Sequence, residues 1–257
     1  MPAHSLPLGP LPPSASTWKP QDLYEFYTDF LGAIRRRYKK HGRVFRWNFL
    51  IDSYILLGAD ANQWVMVAQQ KSLLAGPAWE VALGVVFRGG LLLRDGADHR
   101  QHRKLLMPAF RQEALQYYLA VSEDIIDQHI ASWPTHCIDI YQRVKKLTLE
   151  IAVRSFFGIS KSSELEIYNK LITDIVAGSI AYTKHPLIGI TYQRAMRARK
   201  KLEILLEPLV KQRRLQPTED MMGQLCQSRD EEGQTLSDSE VIDQMLFIMM
   251  AAHDTTA

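Results

Sequence analysis

The sequence predicts a mainly α fold with a small amino-terminal β region. Apolar residues recur at helical spacing along most of the 257 residues. Only two short stretches, VFRWNF and SYILLG, read as strands, and a 46% apolar composition is enough to bury a sizeable core. No internal repeat interrupts this pattern.

The elements follow in order. Residues 1–19 form a proline-rich leader, expected to lie extended over the surface. DLYEFYTDFLGAIRRRYKK carries Leu23, Phe26, Tyr27, Phe30 and Ile34 at helical spacing and ends at His41-Gly42. The two strands then read as a hairpin turning near Ile51 and Asp52, and residues 60–72 read as helix. Gly76 to Gly96 is punctuated by glycines without a sustained period, which predicts a long, shaped functional loop. A helix through HRQHRKLLM stops at Pro108. Another spans Gln112 to about Ile130, and a third runs from Tyr141 to Phe157, with Gly158 as its cap. Two more occupy about 164–181 and 190–213, separated by Pro186 and Gly189.

The last segment opens with Ser237 and Glu240 in capping-box spacing. Its run from Met245 to Ala252 is apolar on every side, so it should be buried all round, yet a bilayer span needs about 20 such residues. HDTT follows, and the chain ends at Ala257 without a helix-stop signal, which predicts a truncated domain.

Charge and cysteine content exclude several classes. Lys and Arg total 31 against 28 Asp and Glu, too even a balance to call for nucleic acid, and no recognition motif accompanies the basic residues. Seven of the twelve residues from Arg35 to Arg46 are basic; they form either a solvated helix end or a contact for an anionic membrane or electron-donor protein. Cys137 and Cys226 are distant and belong to no CxxC, which argues against a disulfide framework or structural zinc and fits a reducing compartment. No signal peptide or transmembrane anchor is expected from the amino-terminal residues.

Two clusters can carry chemistry. In His253-Asp254-Thr255-Thr256, an acid and hydroxyls at the tip of an apolar helix cost several kcal/mol unless something polar meets them. Either the hydroxyls bond back to the previous turn, or the helix crosses a cofactor cavity where Asp254 and Thr255 relay protons. The small Ala251 and Ala252 would permit close approach there. His99 and Arg103, four residues apart, share a helix face able to hold one anion; a solvated basic helix is the alternative. A metal site on His99 and His102 lacks a third ligand at a familiar spacing.

Taken with the helix order between them, these segments resemble the amino-terminal part of a cytochrome P450. GLLLRDGADHRQHRKLLMPAF resembles the approach to the family's C helix, LTLEIAVRSFFG the helix ending in Phe-Gly, and DMMGQLCQSRDEEGQTLSDSEVIDQMLFIMMAAHDTTA the approach to the I helix. Ala252 stands where the family has glycine.

The resemblance implies a truncated cytochrome P450-like fold: an incomplete domain over 20–257 lacking the carboxy-terminal haem-ligand region. It implies a haem-thiolate monooxygenase using haem b, with His99 and Arg103 on the propionates and Ala251 and Ala252 bordering the cofactor. Asp254 and Thr255 would serve proton supply at the dioxygen site, and Phe87, Phe247 and Met250, with residues 76–96 and Tyr168 to Gly189, would wall the substrate pocket. The metal ligand itself, an axial cysteine, is not in the chain, because neither Cys137 nor Cys226 stands in the family's ligand loop. The implied partners are a lipophilic small molecule, dioxygen and a ferredoxin or flavoprotein electron donor. The implied location is cytoplasmic or peripheral to a membrane, and the fragment alone is expected to be inactive. Two other readings remain: a haem-free helical binding or regulatory protein of the same fold, and a donor-free peroxide isomerase.

Overall fold

A computed structural model describes residues 11–17, 19–48, 52–69, 71–84, 86–179 and 189–256, without the side chains at 19, 82, 162 and 253–256. Its contacts divide the chain into two compact units, Met1–Leu73 and Leu74–Ala257.

In the first unit, the helix expected over 22–40 is two helices, α1 (Lys19–Thr28) and α2 (Phe30–His41). Asp29 divides them because its carboxylate accepts the Gly32 N–H and caps α2, a local bond that competes with continuing the helix. Gly42, at φ 83°, ends α2. Strands β1 (Val44–Asn48) and β2 (Asp52–Leu56) pair antiparallel with Val44 opposite Leu56; the turn between them lies outside the described residues. The described part of the leader is tied to the hairpin, since the Ala15 N–H donates to the Arg46 carbonyl and the Arg46 N–H to the Pro13 carbonyl. Helix α3 (Ala59–Gln63) continues as a π-helical turn over Trp64–Ala68. The unit's small core is Ala15, Ala33, Phe45 and Trp47.

Most of the basic run is neutralised within this unit. Arg37 is buried, pairs with Asp22 at 2.7 Å and Glu25 at 2.6 Å, and lies over the Trp47 ring. Arg36 pairs with Asp29 and Glu25, Arg43 with Asp60, and Arg46 with Asp52.

The second unit corrects the expected long loop. Residues 76–96 contain helix α4 (Gly76–Leu83), opened by Pro77, and a 3-10 turn at Leu91–Leu93. Proline at the first turn costs a helix nothing, so the glycines and Pro77 hid an element rather than excluding one. Then follow α5 (Gly96–Leu106), a 3-10 turn at Met107–Phe110, α6 (Gln112–Ala131), α7 (Ile140–Phe157), α8 (Ser162–Ser179), α9 (Ile190–Leu215), α10 (Met221–Gln227) and α11 (Asp238–Thr256).

Gly158 caps α7 at φ 66°, as expected. Only glycine fits there: a Cβ would lie 2.6 Å from the Asp220 carboxylate, which caps α10 through the Gly223 N–H and pairs with the buried Arg213. Arg213 also donates to the Phe157 carbonyl, satisfying an otherwise unpaired acceptor at the buried end of α7.

Helix α11 packs against α7, α8, α9 and α10. Val241, Met245, Leu246, Phe247 and Met249 are buried in the main core. Ile248, Met250, Ala251 and Ala252 are only half-buried, so the expectation that this stretch is covered on every side holds for its first part alone.

Candidate functional site

The capping box places the amino-terminal turn of α11. The Ser237 N–H donates to Glu240 Oε2 at 2.8 Å, and the Glu240 N–H returns to Ser237 Oγ at 3.3 Å. Burial pulls the Glu240 carboxyl upward, but the Ser237 N–H and hydroxyl together with His102 outweigh it and hold it below the usual carboxylate range.

Through Glu240, α11 meets α5. His102 is buried; its Nδ1 lies 3.0 Å from the Asp98 carbonyl oxygen and its Nε2 lies 3.1 Å from Glu240 Oε1. Sequence reasoning weighed His102 only as a metal ligand, whereas the structure makes it a link between helices. No group of metal-ligating side chains forms among the described residues.

His99 and Arg103 sit on α5 one turn apart, half-buried and exposed respectively. Other polar groups around them are paired: Arg94 with Asp98 and Lys104 with Glu231. Among the described residues, His99 and Arg103 have no carboxylate partner, and neither does Arg100. Both side chains are therefore uncommitted to an ion pair among the described residues.

Residues 86–90 are held against α11. Gln244 Nε2 and Arg94 Nε both donate to the Gly89 carbonyl, at 2.8 and 2.9 Å. Gly90 stacks on Phe247, where an added Cβ would come within 2.9 Å of the ring, and Gly89, at φ 77°, would strike Asp243 if it carried a side chain. The buried Arg199 on α9 completes this junction, donating to the Val86 carbonyl, Glu203 and Asp243. Burial raises the Asp243 carboxyl above its ordinary value despite the opposing guanidinium. No short-range pattern in the sequence marks this four-way contact, because its members are scattered between Val86 and Asp243.

Phe87 and Phe247 are thus brought to one region, both buried in the main core, with Met250 half-buried one turn farther along α11. Ala251 and Ala252 are half-buried and helical. Asp254 and Thr255 lie on the last turn of α11, their side chains outside the described residues. Glu240, where α5 is tied, precedes Ala251 by about three helical turns, so the α5 tie and the HDTT cluster occupy different stretches of α11. Tyr168, expected at a pocket wall, is a core residue against Phe157, and burial pushes its hydroxyl up to about 12. Residues 180–188 of that same expected wall lie outside the described residues.

Cys226 is buried among core side chains, which pushes its thiol up to about 11. Cys137 is exposed in the segment between α6 and α7.

Comparison with known proteins finds relatives over most of the chain. The chain is 31% identical over 228 residues to a putative cytochrome P450 136 of Mycobacterium tuberculosis, covering 85% of this chain and 46% of the relative. It is 27% identical over 226 residues to a putative cytochrome P450 120 of Synechocystis, covering 86% of this chain and 50% of the relative. The chain therefore spans about half the length of the curated relatives it matches. Among solved structures, retinoic-acid-bound cyanobacterial CYP120A1 superposes with a TM-score of 0.81 at 25% identity, over 96% of this chain and 57% of that one. A CYP152N1 structure with myristic acid shares the fold, with a TM-score of 0.71 at 17% identity over 95% of this chain and 58% of that one. With the cytochrome P450 family model matching residues 20–257, the chain belongs to the cytochrome P450 family.

Proposed function

We propose that the chain is the amino-terminal part of a haem-thiolate monooxygenase that inserts oxygen into a lipophilic organic substrate. The observation that carries this reading is the uncommitted His99–Arg103 face on α5, fixed to α11 through His102 and Glu240 in a chain of this family. Two adjacent donors suit a propionate, so His99 and Arg103 would hold haem b by its carboxylates, and the iron thiolate of the proposed enzyme is assigned to neither Cys137 nor Cys226.

The haem, when bound, supplies dioxygen activation. His99 and Arg103 would hold its propionate oxygens. Ala251 and Ala252 leave room for close approach, and Asp254 and Thr255 bring a carboxylate and a hydroxyl for proton supply. Phe87, Phe247 and Met250 wall an apolar substrate site, consistent with the retinoic acid bound by the cyanobacterial relative. Overall, one oxygen atom enters the substrate and the other leaves as water. Two protons and two electrons are consumed, the electrons coming from a ferredoxin or flavoprotein donor. No described helix is long and apolar enough to cross a membrane, and the proposed location is cytoplasmic or peripheral to a membrane.

The test uses the complete product of the gene. Hydroxylation that requires both dioxygen and a reductant, with haem retention lowered by Arg103→Ala, supports the reading. Donor-free peroxide isomerisation, or a stable product that takes up no haem, would overturn it.

A further inference from the structure

Helices α8 and α9 run antiparallel, with Gly178 meeting Ala195 at one end and Ile167 opposite Ile204 toward the other. Between them lies a groove of about 530 Å³, within the roughly 300–1,000 Å³ of small-molecule sites. Lys170, Leu171 and Asp174 of its lining fall in the 168–189 stretch expected at the substrate wall, but His99, Arg103, Phe87, Phe247, Met250 and the carboxy-terminal turn of α11 take no part in it.

Its lining is divided by chemistry. Ile167, Leu171, Ile204 and Leu205 supply an apolar bed, and Ile167 and Ile204 are 51% and 62% exposed. Along its edges stand Lys170, Arg194, Arg197 and Lys201 against a single carboxylate, Asp174, which Arg194 already engages at 2.9 Å. Lys170, Arg197 and Lys201 have no carboxylate partner among the described residues. Spacings of three and four residues put Arg194, Arg197, Lys201 and Leu205 on one face of α9.

An apolar trough edged by three uncompensated cations is complementary to a molecule with one anionic end and an alkyl body. We infer that this groove binds a single-chain fatty carboxylate, its head between Lys170, Arg197 and Lys201 and its chain over the Ile167–Leu205 bed. The size argues for one small molecule, and the joint demand for charge and apolar contact separates it from a bare anion. This inference goes beyond the proposed activity and needs no haem.

The test is calorimetric titration of the 257-residue chain with acetate, octanoate, decanoate and dodecanoate below their micellar concentrations, and with 1-octanol. Affinity is expected to rise roughly two- to fourfold per methylene, to weaken at about 1 M salt, and to be lower for octanol than for octanoate. The double variant Arg197→Glu/Lys201→Glu, both positions exposed, should keep its circular dichroism and melting temperature while binding decanoate about tenfold more weakly or worse. Ile204→Ser should flatten the chain-length dependence. Decanoate binding unchanged in the double variant places the site elsewhere and overturns the inference. So does acetate binding as tightly as decanoate, and so does binding of phosphatidylglycerol vesicles without binding of free decanoate.

Discussion

Asp243 and Glu240 lie one turn apart on α11, yet their surroundings move them in opposite directions. Burial dominates at Asp243 and raises it, whereas hydrogen bonds from Ser237 and His102 overcome burial at Glu240 and lower it. Linkage then gives opposite signs. The lowered Glu240 contributes stability that is present above its unfolded value near 4.5 and is lost as pH falls through the folded value. Acid unfolding of Glu240→Gln should therefore show a flatter acid limb below about pH 5 than the parent; an unchanged limb would mean that the His102–Glu240 link contributes nothing. Removing Arg199 should do the reverse. Arg199→Met leaves Asp243 buried without its cation, a change that costs about 3–5 kcal/mol when the carboxylate is charged. Because that carboxyl then takes up a proton more readily, the loss measured by denaturant unfolding should be larger at pH 8 than at pH 5. The capping box behind Glu240 was legible because its partners are three residues apart. Arg199 and Asp243 were not, since a contact spanning 44 residues leaves no periodic trace.

At the scale of elements, Gly178 gives the most direct check. Helix propensity favours alanine there by about 1 kcal/mol, but an added Cβ would sit 2.1 Å from Ala195 Cβ and wedge α8 from α9. Gly178→Ala should accordingly destabilise by about 1–3 kcal/mol in urea unfolding, and a stabilising result would show that the two helices do not approach this closely. The long helices were readable because their apolar periods run for many turns and end at identifiable caps such as Gly158. Shorter elements escaped. Asp29 split one apparent helix with a single carboxylate bond, and the glycines between Gly76 and Gly96 masked the eight-residue α4. The candidate site divided in the same way: His99 and Arg103 were visible as an i, i+4 pair, but the role of His102 depended on a carboxylate 138 residues away.

For the whole molecule, each unit carries its own core, and each can be probed by itself. In the first, Arg37→Ala should cost about 3–5 kcal/mol, because it strands the fully buried Asp22. His99→Ala and Arg103→Ala should leave the melting temperature of the second nearly unchanged, since neither has a carboxylate partner there; a drop of many degrees would assign them to stability instead. Across both units, residues 20–257 match the family, and the chain spans about half the length of the curated relatives it matches. In the proposed enzyme this chain would contribute the residues that hold the propionates and the α11 rod, but not the iron thiolate. The carbon monoxide difference spectrum of the 257-residue chain mixed with reduced haem tests it most directly, run beside Cys137→Ser and Cys226→Ser. No thiolate-type band is expected in any of the three, and a thiolate-type band in the parent that either substitution abolishes would overturn the proposal.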